Sequence, residues 1–217
     1  MTHINGTDYN ITINTPRYAL SPMRTDGDYE ALLNLCSKLG FTYPYIHSHQ
    51  KTQSAPLADR VRAYTKLGDT AANGEFGRTM IQSIRRHEDS ELLGASILIA
   101  IEPDYPLFDG SDPTTEWEIG FFTDIDHWGK GIATEAIHAT IEQALENKWG
   151  LTGLWASVEP SRPASIKLIQ NLGLELVREI PAGSELVPYN DEQGRPAARQ
   201  IYHTPENWKL PGLSFKG

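Results

Sequence analysis

At 217 residues, and with roughly 100–200 residues to a domain, the chain is expected to form one compact domain. Nineteen Lys plus Arg against 28 Asp plus Glu leave a net charge of −9, which excludes a protein that grips a nucleic-acid backbone through bulk positive charge. Charged residues at 22% and hydrophobic residues at 39% exclude a disordered chain, and the single Cys36 excludes an internal disulfide. No Cys/His set has zinc spacing, residues 1–22 hold no basic start followed by an apolar run, and the longest apolar stretch, Leu92–Ile101, is about half a membrane span. The expectation is a soluble cytoplasmic protein with no metal and no membrane or nucleic-acid partner.

In chain order, Arg17–Leu20 reads as a short strand, followed by a turn at Pro22. A first helix begins at Thr25, with Asp28 three residues on in capping-box style; Tyr29, Leu32, Leu33, Cys36 and Leu39 share a face, and Gly40 ends the run. The segment Phe41–Gln50 carries Tyr43, Tyr45, His47 and His49; its His-x-His pair has no third metal ligand in sequence. A second helix follows Ser54, buries Leu57, Val61 and Tyr64, and is expected to stop at Gly68. Arg78–Arg86 and Leu92–Ile101 form a hairpin around the charged turn His87–Ser90, and Pro103–Thr115 is a loop.

Trp117–Thr123 reads as a strand with Trp117, Ile119 and Phe121 on one face and Glu118, Gly120 and Phe122 on the other. Two glycines, Gly129 and Gly131, then open an amphipathic helix whose apolar face is Ala133, Ile137, Ile141, Ala144 and Leu145, with Gly150 as its stop. Leu151–Val158 is a strand, and Pro163 begins a helix with Ile166, Ile169 and Leu172 inward and Gly173 at its end. Strand Leu174–Ile180, a polar loop over Pro181–Pro196 and strand Arg199–Tyr202 complete the pattern, with Trp149, Trp155 and Trp208 read as packing residues. Hairpins with one strand–helix–strand crossover make an α+β sheet covered by helices.

The glycine turn has two readings from its residues alone. Successive N–H groups at a glycine-rich helix entrance converge on an anion, with Lys130 adding a charge and Thr134 a hydroxyl. Alternatively, the glycines only let the helix pack closely on the sheet. The spacing is neither that of a P-loop nor that of a dinucleotide fingerprint.

Taken together, Glu118-Ile119-Gly120, Trp128-Gly129-Lys130-Gly131-Ile132-Ala133-Thr134-Glu135-Ala136, Ala164-Ser165-Ile166 and Asn171-Leu172-Gly173-Leu174 resemble the GNAT superfamily of acetyl-CoA-dependent N-acetyltransferases. They are most similar to its Rim-type branch, named for enzymes that acetylate ribosomal-protein N-termini. The resemblance covers 14–205, leaving 1–13 as a polar N-terminal extension and 206–217 as a tail. It implies a mostly antiparallel sheet of about six to seven strands with about four helices, splayed at the acyl-CoA site.

The resemblance further implies acetyl-CoA as cosubstrate, with Phe121, Phe122 and Thr123 pairing with the pantetheine arm. The pyrophosphate is expected on the turn Trp128, Gly129, Lys130, Gly131, Ile132, Ala133 and Thr134. Arg162 stands where the family usually has Asn, and would reach a phosphate instead. The Tyr that many members use as general acid is Ile169 here, as the Rim-type branch generally has it, which shifts that burden to Ser165.

Chemistry at the acceptor follows from basicity. A lysine-like amine is less than about 0.1% neutral at pH 7, whereas an α-amino group near pKa 8 needs less help. Glu118 is the expected base, direct or through water, against the alternative of a surface salt bridge; Asp124 and Asp126 are weaker candidates that suit capping or solvent exposure. A backbone N–H at Phe122 or Thr123 is expected to face the oxyanion, and Ser165 to protonate the leaving sulfur or to bond only its own helix. The segments around His47 and Ser184–Arg195 are expected to border a primary-amine acceptor, either a small molecule or a peptide N-terminus. Other readings are transfer of a longer acyl group and a non-catalytic acyl-CoA-binding module, as a monomer or homodimer.

Overall fold

The computed structural model describes residues 9–39, 56–73, 78–100, 116–184, 195 and 197–212. Among these, strands β1 (Ile13–Asn14), β2 (Tyr18–Pro22), β3 (Thr79–Arg86), β4 (Leu92–Ala100), β5 (Glu116–Thr123), β6 (Gly153–Val158), β7 (Glu175–Ile180) and β8 (Arg199–His203) form one sheet. Its order is β1-β2-β3-β4-β5-β6-β8-β7. Every neighbouring pair is antiparallel except β5 and β6, the two strands joined through a crossover helix. The sheet has one strand more than expected, because Ile13 and Asn14 pair with Leu20 and Ala19. Four α-helices are described: α1 (Thr25–Lys38), α2 (Leu57–Ala72), α3 (Ile132–Glu146) and α4 (Pro163–Asn171).

Strand alternation divides the core between the two faces of the sheet. Leu98, Trp117, Ile119, Leu154 and Ala156 join Ile137 and Ile141 of α3 and Leu168 and Ile169 of α4 on one face. Ala95, Ile97 and Phe122 join Leu32, Leu35 and Cys36 of α1 and Val61 and Tyr64 of α2 on the other. The alternation expected for β5 is therefore present: Trp117 and Ile119 face α3, whereas Phe122 faces α1 and α2, with Tyr64 at a ring separation of 6.0 Å. Tyr9, in the stretch expected as a polar extension, is buried with its ring 4.9 Å from Trp149 and 6.3 Å from Trp117.

Several helix boundaries differ from expectation for identifiable reasons. Asp28 accepts a hydrogen bond from the N–H of Arg24 (2.7 Å), so the cap is Arg24 rather than Thr25. Gly68 does not end α2, which runs on to Ala72. A Cβ at Gly68 would come within 2.7 Å of the Met23 carbonyl, so this glycine permits close approach within the helix. Helix α3 ends before Gly150, with Lys148 in the left-handed region (φ 55°), and Leu145 is exposed rather than inward. The His47 segment, loop Pro103–Thr115 and most of Ser184–Pro196 lie outside the described residues.

Candidate active site

Strands β5 and β6 pair only through Glu116↔Gly153, Trp117↔Leu154 and Glu118↔Trp155, although β5 stays in register with β4 as far as Thr123↔Gly94. Beyond Glu118 the two parallel strands part. The Asp124 N–H donates to the Leu93 carbonyl at 2.8 Å. By ladder alternation, the main-chain groups of Phe122 and Gly120 point to β4, and those of Phe121 and Thr123 point into the gap. Of the two N–H groups expected to face an oxyanion, Thr123's is turned into the gap and Phe122's toward β4. The Thr123 carbonyl accepts from the indole Nε1 of Trp128 at 3.0 Å, and Trp128 is 52% exposed.

The glycine turn follows directly. Gly129 and Gly131 both occupy the left-handed region, at φ 75° and 74°, a conformation that costs other residues about 1–2 kcal/mol. Gly131 is itself the N-cap of α3 and offers no side-chain cap, so the first N–H groups of the helix are presented without a competing acceptor from the cap. Ile132 is buried, Ala133 and Thr134 are half-buried, and Gly129, Lys130 and Gly131 are exposed. Lys130 Nζ donates to the Asp126 carbonyl at 3.3 Å.

A buttress that sequence reasoning missed holds this turn in place. The carboxylate of Glu135, 2% exposed, accepts from the Arg17 N–H (3.1 Å) and Nε (2.7 Å), while Arg17 Nη1 donates to the Lys130 carbonyl (3.0 Å). One guanidinium thus joins the β2 entrance, the glycine turn and the first turn of α3. The two residues stand 118 positions apart in sequence, and no local pattern pairs them.

Glu118 lies half-buried on the α1/α2 face, at the last register position before the gap. Ser165 occupies the first turn of α4, half-buried, and Arg162 is the N-cap of that helix, with Nε 3.8 Å from the Glu159 carboxylate. Glu159 also holds Arg199 at 3.1 Å. Asp124 accepts from the Asp126 N–H at 3.0 Å as the cap of a short turn, while the Asp126 carboxylate is exposed, and both carboxylates hold Lys38 Nζ at 2.9 Å. Burial alone would raise the Asp124 carboxyl, but the Lys38 ammonium and the Asp126 N–H outweigh it and hold the group below its ordinary 3.8. Among the described residues no group of three or more His, Cys, Asp or Glu is placed to hold a metal ion, and no helix is long and apolar enough to cross a membrane.

The Acetyltransferase (GNAT) domain family model matches residues 17–175. The chain is 38% identical over 58 residues to the Bacillus licheniformis protein called uncharacterized N-acetyltransferase p20, a match covering 27% of this chain and about a third (32%) of that protein. The fold is similar to the coenzyme A complex of RimL, a ribosomal L7/L12 alpha-N-protein acetyltransferase, at TM-score 0.65 and 14% identity over 91% of this chain and 99% of that one. It is also similar to the Vibrio fischeri ribosomal-protein-S5-alanine acetyltransferase, at TM-score 0.64 and 15% identity over 92% and 99%. The microcin C7 self-immunity acetyltransferase MccE, in complex with acetyl-CoA and AMP, gives TM-score 0.61 and 14% identity over 88% and 93%. With nearly three quarters of its length inside the family model, the chain belongs to the GNAT acetyltransferase family.

Proposed function

We propose that this protein is an acetyl-CoA-dependent N-acetyltransferase of the Rim-type branch, acting in the cytoplasm through a domain spanning 14–205 on a primary amine. The observation that carries the reading is the parting of β5 from β6 at Glu118, immediately ahead of a turn with two left-handed glycines that opens α3. An extended amide-bearing arm fits main-chain groups facing a gap between strands, and a diphosphate fits the open N–H groups of a helix entrance. RimL in complex with coenzyme A and MccE in complex with acetyl-CoA share this fold. Because RimL is named for alpha-N-protein acetylation, a peptide α-amino group is the first acceptor to test, alongside small-molecule amines.

Acetyl-CoA, when bound, supplies an acetyl group activated as a thioester. Glu118 draws a proton from the acceptor ammonium, directly or through water, since the amine attacks only when neutral. The N–H groups of Phe121 and Thr123 face the acyl oxygen as its charge grows. Ser165 passes a proton to the departing sulfur, and Arg162 reaches toward a cosubstrate phosphate or carbonyl. Holding amine and acyl carbon in line supplies much of the rate.

The test is thiol release from acetyl-CoA with polyamines, amino acids, aminoglycosides and short alanyl and seryl peptides. Release that depends on one class of amine and falls in Glu118→Gln supports the reading. An acetyl-CoA-induced rise in melting temperature with no transfer to any amine would instead favour a binding module.

A further inference from the structure

Beside Glu118, on the same face, the sheet carries a second carboxylate and an imidazole that this reading does not use. Glu116, Trp155 and His203 come from β5, β6 and β8. Register places Glu118, Trp155 and His203 in one row across the three strands, with Glu116 and Gly153 paired one step behind it. Glu116 is buried, and its Oε2 accepts both from Trp155 Nε1 (3.1 Å) and from His203 Nε2 (3.0 Å). The imidazole lies against the indole, with ring centroids 4.3 Å apart and planes at 34°. Gly153 makes the arrangement possible, because a Cβ there would overlap the Glu116 carboxylate.

The tautomer follows from the bonding. A carboxylate only accepts, so Nε2 carries the proton and Nδ1 presents a lone pair. Among the described residues the hydrogen bond of the ring runs through Nε2, and the side chain is 25% exposed. The charged groups facing it are Glu116 and Glu118 from β5 and Glu175 directly opposite on β7; Arg178 lies opposite Ile201, and Arg199, further along β8, is held by Glu159. Glu116 fixes the orientation of the ring as an acid orients the base in a triad.

We propose that His203, oriented by Glu116, is the proton outlet of the acceptor face. The proton lost by the acceptor ammonium passes by way of Glu118 and water to His203 Nδ1. The ammonium N–H bond breaks, the Nδ1–H bond forms, Glu116 balances the imidazolium, and the ring, a quarter exposed, returns the proton to solvent. The second amine proton leaves as the N–C bond forms and goes to the departing sulfur. An imidazole both accepts and donates a proton through its two ring nitrogens, which suits a relay to solvent. His203 is a positioning residue for the proton and does not itself touch the acceptor. The inference rests on the N-acetyltransferase reading.

Two acceptors separate proton handling from structure: the best amine of the panel, which is protonated at neutral pH, and hydroxylamine, which is already neutral there. His203→Gln is expected to lower kcat for the panel amine at pH 7 by about ten- to a hundredfold, with KM for acetyl-CoA unchanged, and to slow hydroxylamine less than twofold. The deficit should close as pH rises and the amine deprotonates unaided. Glu116→Gln, which keeps the shape of the carboxylate, should show the same selectivity with a smaller fall. Equal losses on both acceptors, or no loss on the amine, would overturn the inference while leaving the enzyme reading intact. A wild-type protein that acetylates neither acceptor would overturn that reading and the inference with it. Nitrogen-15 NMR of the ring gives a separate check: protonated Nε2 with bare Nδ1 is expected, and the reverse tautomer would contradict the assignment.

Discussion

On the α3 side of the gap, the candidate ligand contacts are main-chain groups: Phe121 and Thr123 along β5, then the N–H groups from Gly129 to Thr134. On the α1 side the candidate chemistry lies in side chains gathered from three strands: Glu118 toward the acceptor, with Trp155 and His203 in the row behind it. A main-chain site needs particular backbone conformations, and those leave glycines at fixed spacing. A side-chain row needs only register between strands, which no local spacing records. The difference predicts that damage on the two sides will separate: cosubstrate affinity on one, amine turnover on the other.

The largest expected effect tests the support of the main-chain side. Arg17→Ala would leave Glu135 buried without its cation and the Lys130 carbonyl without its donor. Stability should fall by about 3 kcal/mol, the low end for a broken buried pair, because Arg17 is itself half exposed. Chemical denaturation measures this, and acetyl-CoA affinity should fall in parallel.

Glu118→Gln probes the other side. Turnover of a primary amine at pH 7 should drop by about a hundredfold, the ordinary worth of a general base, and recover as pH is raised. Acetyl-CoA affinity should stay within twofold. Gly131→Val should do the converse: a branched residue at φ 74° strains the turn by at least about 1–2 kcal/mol, and acetyl-CoA affinity, read by calorimetry, should weaken about tenfold. If either variant damages both parameters equally, the two sides are not separable in this way.

Ser165→Ala should lower turnover severalfold with acetyl-CoA affinity unchanged, measured by steady-state kinetics. The smallest effect concerns pH and stability. The Asp124 carboxyl sits below its ordinary 3.8 when folded, chiefly because Lys38 outweighs burial. Its contribution is therefore complete above that ordinary value and is lost as pH falls through the lower folded value. Lys38→Met should flatten the acid side of the stability profile only slightly, since Lys38 is half exposed, and leave neutral-pH turnover unchanged.

What could be read in the sequence follows the same division. Gly129 and Gly131, the alternation of β5, Pro163 and Gly173 each announce a local conformation, and the structure has each of them. The gap itself could be anticipated only through the family resemblance, because the parting of β5 and β6 depends on partners 37 residues apart. Gly68 misled because a glycine that admits the Met23 backbone looks the same in sequence as one that stops a helix. Trp155 read as a packing residue, yet its indole N–H bonds Glu116 and its ring meets His203. Arg17 and Glu135, and Glu116 and His203, are joined only by the fold.

The most direct measurement is mass analysis of panel amines after incubation with acetyl-CoA and catalytic amounts of the protein. The account predicts one acetyl group on a primary amine nitrogen, formed over many turnovers, with its rate at pH 7 sharply reduced in Glu118→Gln. No acetylated amine from any class, or acetylation that proceeds equally well in Glu118→Gln across the pH range, would contradict it.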